Sequence, residues 1–264
     1  MLLLHGFPQF WWAWRHQLPA LAAHGWRAAA MDLRGYGGSD KTPRGYDPTT
    51  LATDISGVIR SLGARSAVVV GHGWGGYAGW ATATIDPGAV RGLVSVAAPH
   101  PLHTGELASR AVLAKHLLSM QPPLLPERRI VADGAAWVEH HLRDWAAPGS
   151  GFPDSEAAER YRTAMTVWPS PHCAVEYHRW LFRSRARSDG RRFTAQMRRG
   201  VQGPVLQVLG ELDPAVRLGP SDSSRTRVAG AYAAVAIAGC GHFPHEEAPA
   251  SFNAVLLDWL DHHG

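Results

Sequence analysis

Short apolar runs alternate with longer stretches in which apolar residues recur every three or four positions. This is the pattern of a mostly parallel sheet covered by helices on both faces. It predicts strands at Met1 to Leu4, Arg27 to Met31, Ala67 to Val70, Leu93 to Ala97, Val205 to Leu209 and Ala233 to Ile237. A helix between the second and third strands carries Leu51, Ile55, Val58, Ile59 and Leu62 at helical spacing. Another closes the chain, with Pro249 suited to its first turn and Phe252, Val255, Leu256, Trp259 and Leu260 on its apolar face. From His100 to Gly203 the alternation stops, and helical segments are interrupted by Pro122-Pro123, Pro126, Pro148, Pro153, Pro169 and Pro171.

The expected organisation is an α/β core at 1–99 and 203–264 with a helical cap at 100–202, lying over the carboxyl ends of the strands where open α/β sheets hold their ligands. No edge hairpin precedes the first strand, which leaves Arg27 to Met31 near an unpaired edge. A misplaced start codon or truncated gene is the expected cause, and a shortened sheet that pairs with another chain is the alternative.

Composition narrows the function classes. With 264 residues, 45 % of them hydrophobic, the chain has enough apolar surface for one large core. Its net charge of +4 comes almost wholly from scattered arginines, Lys41 and Lys115 being the only lysines, so no nucleic-acid partner is expected. Cys173 and Cys240 form neither a disulfide framework nor a zinc spacing, which fits a reducing cytoplasm. Met1 to Leu4 is too short for a signal-peptide core, and no run approaches the ~18 apolar residues of a membrane span. A cytoplasmic protein without metal, cofactor or membrane partner is expected; the oligomeric state stays open.

Gly71-His72-Gly73-Trp74-Gly75-Gly76 directly follows the Ala67 to Val70 run. Such small residues let a chain turn sharply from strand into helix and lift the central side chain to the top of a sheet, the geometry of a nucleophile elbow. The central residue is Gly73, which has no atom able to attack carbon. Asp213 lies in Leu209-Gly210-Glu211-Leu212-Asp213-Pro214 and His242 in Gly239-Cys240-Gly241-His242-Phe243-Pro244, each just after a predicted strand. Alone, Asp213 is a common turn aspartate and His242 is one of 15 histidines. Together with the elbow they follow the elbow, acid, base order of the α/β-hydrolases. Oxyanion donors would be the backbone N–H groups of Phe7 and Trp74, which do not depend on a side chain at Gly73. Adjacent His140 and His141 cannot chelate one metal from a helix face, and Pro244 between His242 and His245 disfavours a metal-binding helix there.

The chain resembles the epoxide hydrolase branch of the α/β-hydrolases, near relatives of the haloalkane dehalogenases. The resemblance rests on His5-Gly6-Phe7-Pro8, Trp14-Arg15, Leu18-Pro19, Asp32-Leu33-Arg34-Gly35-Tyr36-Gly37-Gly38-Ser39-Asp40, the elbow, Asp213-Pro214 and Gly241-His242-Phe243-Pro244, and it spans nearly the whole chain. It implies an eight-stranded fold, here without its first two strands, and a helical cap. In that family an elbow aspartate attacks the epoxide carbon, two cap tyrosines donate hydrogen bonds to the ring oxygen, and a histidine-acid pair activates water against the ester. Carried over, the aspartate's position is Gly73, the base is His242 and its partner is Asp213. Glu176-Tyr177-His178-Arg179-Trp180 resembles the segment bearing one tyrosine, whose position is His178 with Tyr177 beside it; Tyr161 is a candidate for the other.

Three readings remain open. The first is a hydrolase in which His242 and Asp213 activate water directly against a small apolar epoxide or ester. A ligand-binding protein that holds a small molecule without turning it over is the second, and a glycine engineered at position 73 to trap substrate is the third. A small-molecule substrate or ligand is the expected partner in each.

Overall fold

A computed structural model describes residues 1–103, 111–216 and 223–264. Six parallel strands, β1 (Leu2–Leu4), β2 (Ala29–Met31), β3 (Ala67–His72), β4 (Val90–Val96), β5 (Val205–Gly210) and β6 (Tyr232–Ile237), form one sheet in the order β2-β1-β3-β4-β5-β6. All six strands predicted from the apolar runs are present. β3 continues two residues past the valine run because Gly71 and His72 still pair with Ser95 and Val96 of β4. β4 starts earlier than expected, at Val90, and ends before Ala97, whose positive φ of 51° takes it out of the ladder.

Alternation along β3 sorts its side chains between two cores. Val68 and Val70 join Leu3, Val94, Val96, Leu206 and Val208 beneath helix α10 (Pro249–His263), which contributes Phe252, Leu256, Trp259 and Leu260. Val69 faces the other way, with Leu2, Leu4 and Leu93, toward helices α2 (Pro48–Ser61) and α3 (Trp74–Ile85). Asp47 starts α2 as a side-chain cap, accepting from Thr49 N and Thr50 N at 3.1 and 3.0 Å, with Pro48 supplying the fixed φ of the first turn. A short helix α1 (Gln17–Ala23), without a clear apolar period in the sequence, packs on α10 through Leu21.

Between β4 and β5 the described chain is helical: α4 (Ala111–Ser119), α5 (Leu125–Trp145), α6 (Ser155–Thr166), α7 (Ser170–Arg183) and α8 (Ser188–Met197). Residues 104–110 of the expected insertion lie outside the described residues. Pro126 and Pro171 open α5 and α7 rather than breaking helices, since a first turn needs no N–H from them. Arg179 of α7 forms a buried ion pair with Glu127 of α5 at 2.7 Å and also donates to Pro122 O at 2.7 Å, so the two helices are locked together. α9 (Pro244–Glu247) precedes α10. The chain runs from β1 outward to β2 and then returns past β1 to β3. That reversal places the loops after β1 and β3 on either side of a crevice at the carboxyl ends of the strands. No described helix is long and apolar enough to cross a membrane.

Candidate active site

The turn after β3 occupies one wall of this crevice. Gly73 sits at φ 51° and ψ −115°, its N–H donating to Val96 O at 3.0 Å and its carbonyl accepting from Tyr77 N at 2.9 Å. Two glycines of the turn are there for different reasons. A Cβ on Gly75 would lie 2.3 Å from Leu4 O, so close approach of backbone to backbone excludes every other residue. A Cβ on Gly73 would meet only Gly6 Cα, at 3.5 Å. Space for a side chain therefore exists at position 73, and the cost of adding one is the positive φ.

His242 also lines this crevice. Its Nδ1–H donates to Asp213 Oδ2 at 2.8 Å, and Asp213 Oδ1 accepts from Ala215 N and Val216 N at 2.7 and 3.0 Å. A carboxylate can only accept, so this bond fixes the proton on Nδ1 and leaves Nε2 with a free lone pair. The loop bearing His242 is immobilised through its backbone. Glu247 accepts from Gly241 N and Phe243 N, both at 2.9 Å, and from Ala147 N at the end of α5 at 2.7 Å. His242 N donates to Trp145 O at 2.8 Å, and His72 Nε2–H donates to His242 O at 2.9 Å. One carboxylate thus joins the His242 loop to the helices between β4 and β5. Glu247→Ala is expected to leave three amides without their charged acceptor, lowering stability by about 3 kcal/mol and Tm by roughly 6–12 °C; an unchanged melting curve would remove Glu247 from this role.

A cavity of about 110 Å³ is lined among others by Phe7, Gly73, Trp74, Trp145 and His242. A void of this order has room for a small aromatic ring. Phe7 follows β1 and Trp74 is the first residue of α3, and neither backbone N–H has an acceptor among the described residues. First-turn N–H groups lack intrahelical partners, which accounts for the unpaired Trp74 N. Three further imidazoles, His116, His141 and His178, line the cavity. His178 Nδ1–H donates to Ala174 O at 2.9 Å, so its Nε2 is the acceptor for Trp74 Nε1–H at 3.2 Å and for His116 Nε2–H at 3.1 Å. His116 stacks on His141, centroids 4.9 Å apart, and His141 stacks on Trp137.

Burial keeps these rings neutral. It pushes His178 down to about 4, partly opposed by the Ala174 carbonyl, and holds His116 and His141 well below the ordinary histidine range, with neighbouring histidines adding to the effect. Because the folded values lie below the unfolded one, the unfolded chain takes up protons first as pH falls. The contribution of these rings to stability is complete above about pH 6.5 and is lost from there toward pH 4, with about 3 kcal/mol from His178 alone, while buried Glu246, raised to about 7, contributes in the opposite sense over the same window. The difference in urea midpoint between the wild type and His178→Gln, measured at half-unit steps from pH 7.5 to 4, is expected to fall through this window; a flat difference would mean that His178 is not buried.

Matching a family model for the alpha/beta hydrolase family, residues 1–255 account for nearly the whole chain. The protein belongs to the α/β-hydrolase family. This hydrolase is 30 % identical over 270 residues to Epoxide hydrolase 3 of Xenopus tropicalis, covering 98 % of this chain and 71 % of that protein. It is 27 % identical over 292 residues to Epoxide hydrolase A of Mycobacterium tuberculosis, covering 98 % and 89 %. Its fold matches the crystal structure of Epoxide Hydrolase A from Mycobacterium thermoresistibile with a TM-score of 0.82 at 25 % identity, over 98 % of this chain and 90 % of that one. It is an epoxide hydrolase-like α/β-hydrolase.

Of the residues singled out in the sequence, the hydrolase brings Phe7, Gly73, Trp74, His178 and His242 to one cavity, with Asp213 directly behind His242. Tyr177 does not line that cavity; it points across to the Asp32 to Asp40 segment and donates from its hydroxyl to Arg34 O at 2.7 Å. Tyr161 also lies away from it, bonding through its hydroxyl to buried Glu246, which takes a second hydrogen bond from Gln9 Nε2 at 2.9 Å and pairs with Arg15. Burial raises Glu246 to about 7 against the opposing influence of Arg15. The residues that sequence reasoning missed are His116 and His141. They belong to separate helices and carry no motif, and the adjacency of His140 and His141 hid the fact that only the second faces inward, at 6 % exposure. Among the described residues, no group of three or more His, Cys, Asp or Glu is placed to hold a metal ion.

Proposed function

We propose that the protein hydrolyses a small apolar epoxide or ester with water activated by His242, Asp213 holding the base in place and Gly73 occupying the position of the absent nucleophile. The observation that carries this reading is the 2.8 Å bond from His242 Nδ1 to Asp213, which turns a lone pair at Nε2 into a cavity that also contains two unpartnered backbone N–H groups. In the reaction, Nε2 takes a proton from a water molecule as its oxygen attacks the substrate carbon. For an ester the developing oxyanion is met by Phe7 N and Trp74 N; for an epoxide the departing ring oxygen takes a proton from solvent water as the C–O bond breaks, and the proton held on Nε2 then passes to the hydroxide so formed. Phe7, Trp74, Leu113, Leu117, Trp145 and Leu181 supply an apolar surround that suits a short hydrocarbon or aromatic group.

Loss of a nucleophile leaves substantial catalysis where binding and oxyanion donors persist, about 10³–10⁴-fold over water in serine proteases. A panel of short-chain and phenyl-substituted epoxides and esters, followed against buffer, is expected to yield at least one substrate with enzyme-dependent turnover. The second reading, a protein that binds such molecules without reacting, is favoured by the missing side chain at Gly73. It takes over if panel members bind, by calorimetry or fluorescence of Trp74 and Trp145, and none is consumed faster than in buffer.

A further inference from the structure

Hydrogen bonds along α4 and α7 fix the tautomers of the imidazoles that face the cavity. A backbone carbonyl can only accept, so Ala174 O keeps the proton of His178 on Nδ1, at 2.9 Å. His178 Nε2 is then a lone pair. His116 Nε2 approaches it at 3.1 Å, so His116 carries its own proton on Nε2. Burial, with His141 and His178 nearby, holds His116 well below the ordinary histidine range and keeps the ring neutral. Its Nδ1 is therefore a lone pair as well. That atom has no hydrogen-bond partner among the described residues, it is not sealed among packed atoms, and its ring lines the cavity. His141, stacked on His116 with centroids 4.9 Å apart, bonds to no described residue through either ring nitrogen and adds one N–H and one further lone pair. An epoxide or ester oxygen can only accept, so it uses N–H groups and leaves the lone pair of His116 unmatched. No described carboxylate lines the cavity, so a cationic donor would stand there without a counter-charge. The chemistry that fits is a neutral O–H.

We propose that the substrate of this site carries a free hydroxyl group on its short apolar body, and that His116 recognises it by accepting the O–H at Nδ1. The proposal rests on the hydrolytic reading above and deepens it by naming the substrate class, a hydroxylated epoxide such as glycidol or a hydroxylated ester such as methyl glycolate. The hydroxyl oxygen stays able to accept, and the N–H of His141 is a donor on the same cavity wall. His116 acts here with the opposite polarity to the cap tyrosines implied by the resemblance, which donate to an oxygen. His178 has a supporting part, since its bond to Ala174 O sets the tautomer that leaves His116 Nδ1 free of a proton. A substrate with a methyl group in place of the hydroxyl would cover that lone pair without offering it a donor, and a site loses affinity for such an analogue because its own polar atom is left desolvated and unpaired.

The test compares isosteric pairs on the intact protein: glycidol with butylene oxide, and methyl glycolate with methyl propionate, a methyl group replacing the hydroxyl in each. The hydroxylated member is expected to have the higher kcat/KM by at least about tenfold. His116→Phe keeps a ring against His141 and removes the lone pair, so it is expected to bring that ratio close to one. Phenol and toluene, a pair without a reactive bond, read recognition apart from turnover. In ¹⁵N spectra of the wild-type protein, the unprotonated Nδ1 of His116 is expected to move upfield with phenol and to stay in place with toluene. Equal kcat/KM within each pair, with no shift from phenol, overturns the inference and leaves the hydrolytic reading standing. A preference that survives His116→Phe assigns the recognition to another group and also overturns it. No turnover of any of these compounds, with the phenol shift present, removes the hydrolytic reading and supports hydroxyl recognition by His116. No turnover and no shift overturns both. Because the phenol shift is read on the wild type, the outcome does not depend on the variant folding.

Discussion

Gly73→Asp is expected to raise epoxide hydrolysis by at least about 100-fold and to change its chemistry from direct to covalent. The side chain has room, since a Cβ at this position meets only Gly6 Cα at 3.5 Å. It would stand at the start of α3, in the wall of the cavity that His242 also lines. The expected cost is about 1–3 kcal/mol for a non-glycine residue at φ 51°, read as a lower Tm. Intact-protein mass spectrometry gives the decisive readout. In Gly73→Asp combined with His242→Ala, the ester formed by the new carboxylate has no activated water to cleave it, so the protein is expected to gain the mass of one epoxide. A double variant that folds, binds substrate and gains no mass would show that the turn does not present its central residue to the substrate.

Asp213→Asn is expected to lower kcat by on the order of 10⁴ while leaving substrate binding nearly unchanged. The reason is tautomeric. Oδ1 of Asp213 is committed to Ala215 N and Val216 N, so an asparagine places its carbonyl there and turns its NH₂ toward His242. Nδ1 must then accept, the ring proton moves to Nε2, and the atom that faces the cavity can no longer take a proton from water. Steady-state kinetics should show the loss in kcat with KM within a fewfold of wild type, and the ¹⁵N chemical shifts of His242 should report the changed tautomer. If kcat falls less than tenfold, the pair does not act as base and orienter.

Much of this arrangement was legible in the sequence, and the limits are physical. Strands β3 and β5 announce themselves because both faces of a central strand are buried, so Val68, Val69 and Val70 form an unbroken run. Gly73, Asp213 and His242 are readable as candidates because each sits in a short segment constrained by backbone geometry, and their order along the chain adds a second signal. Side chains contributed by the inserted helices follow a different logic. His116 and His141 reach the cavity from α4 and α5 through packing that no local spacing records. Tyr177 and His178 are neighbours in sequence but differ by about 100° around α7, which sends one hydroxyl to Arg34 O and the other ring to Trp74. Glu246 and Glu247 are adjacent acids without a motif of their own. Only the fold shows that the first is buried against Tyr161 and Arg15 and the second holds the amides on both sides of His242.

The most direct measurement is a single-turnover hydrolysis of an epoxide by excess wild-type protein in carboxylate-free buffer made with H₂¹⁸O, repeated with His242→Ala. Water acting through His242 gives a diol labelled in its first turnover, an unmodified and unlabelled protein, and a rate that collapses to that of buffer in the variant. A first-turnover diol without label, or a rate indifferent to the loss of His242, would contradict a reaction centre built on that imidazole and the bare turn that lines the same cavity.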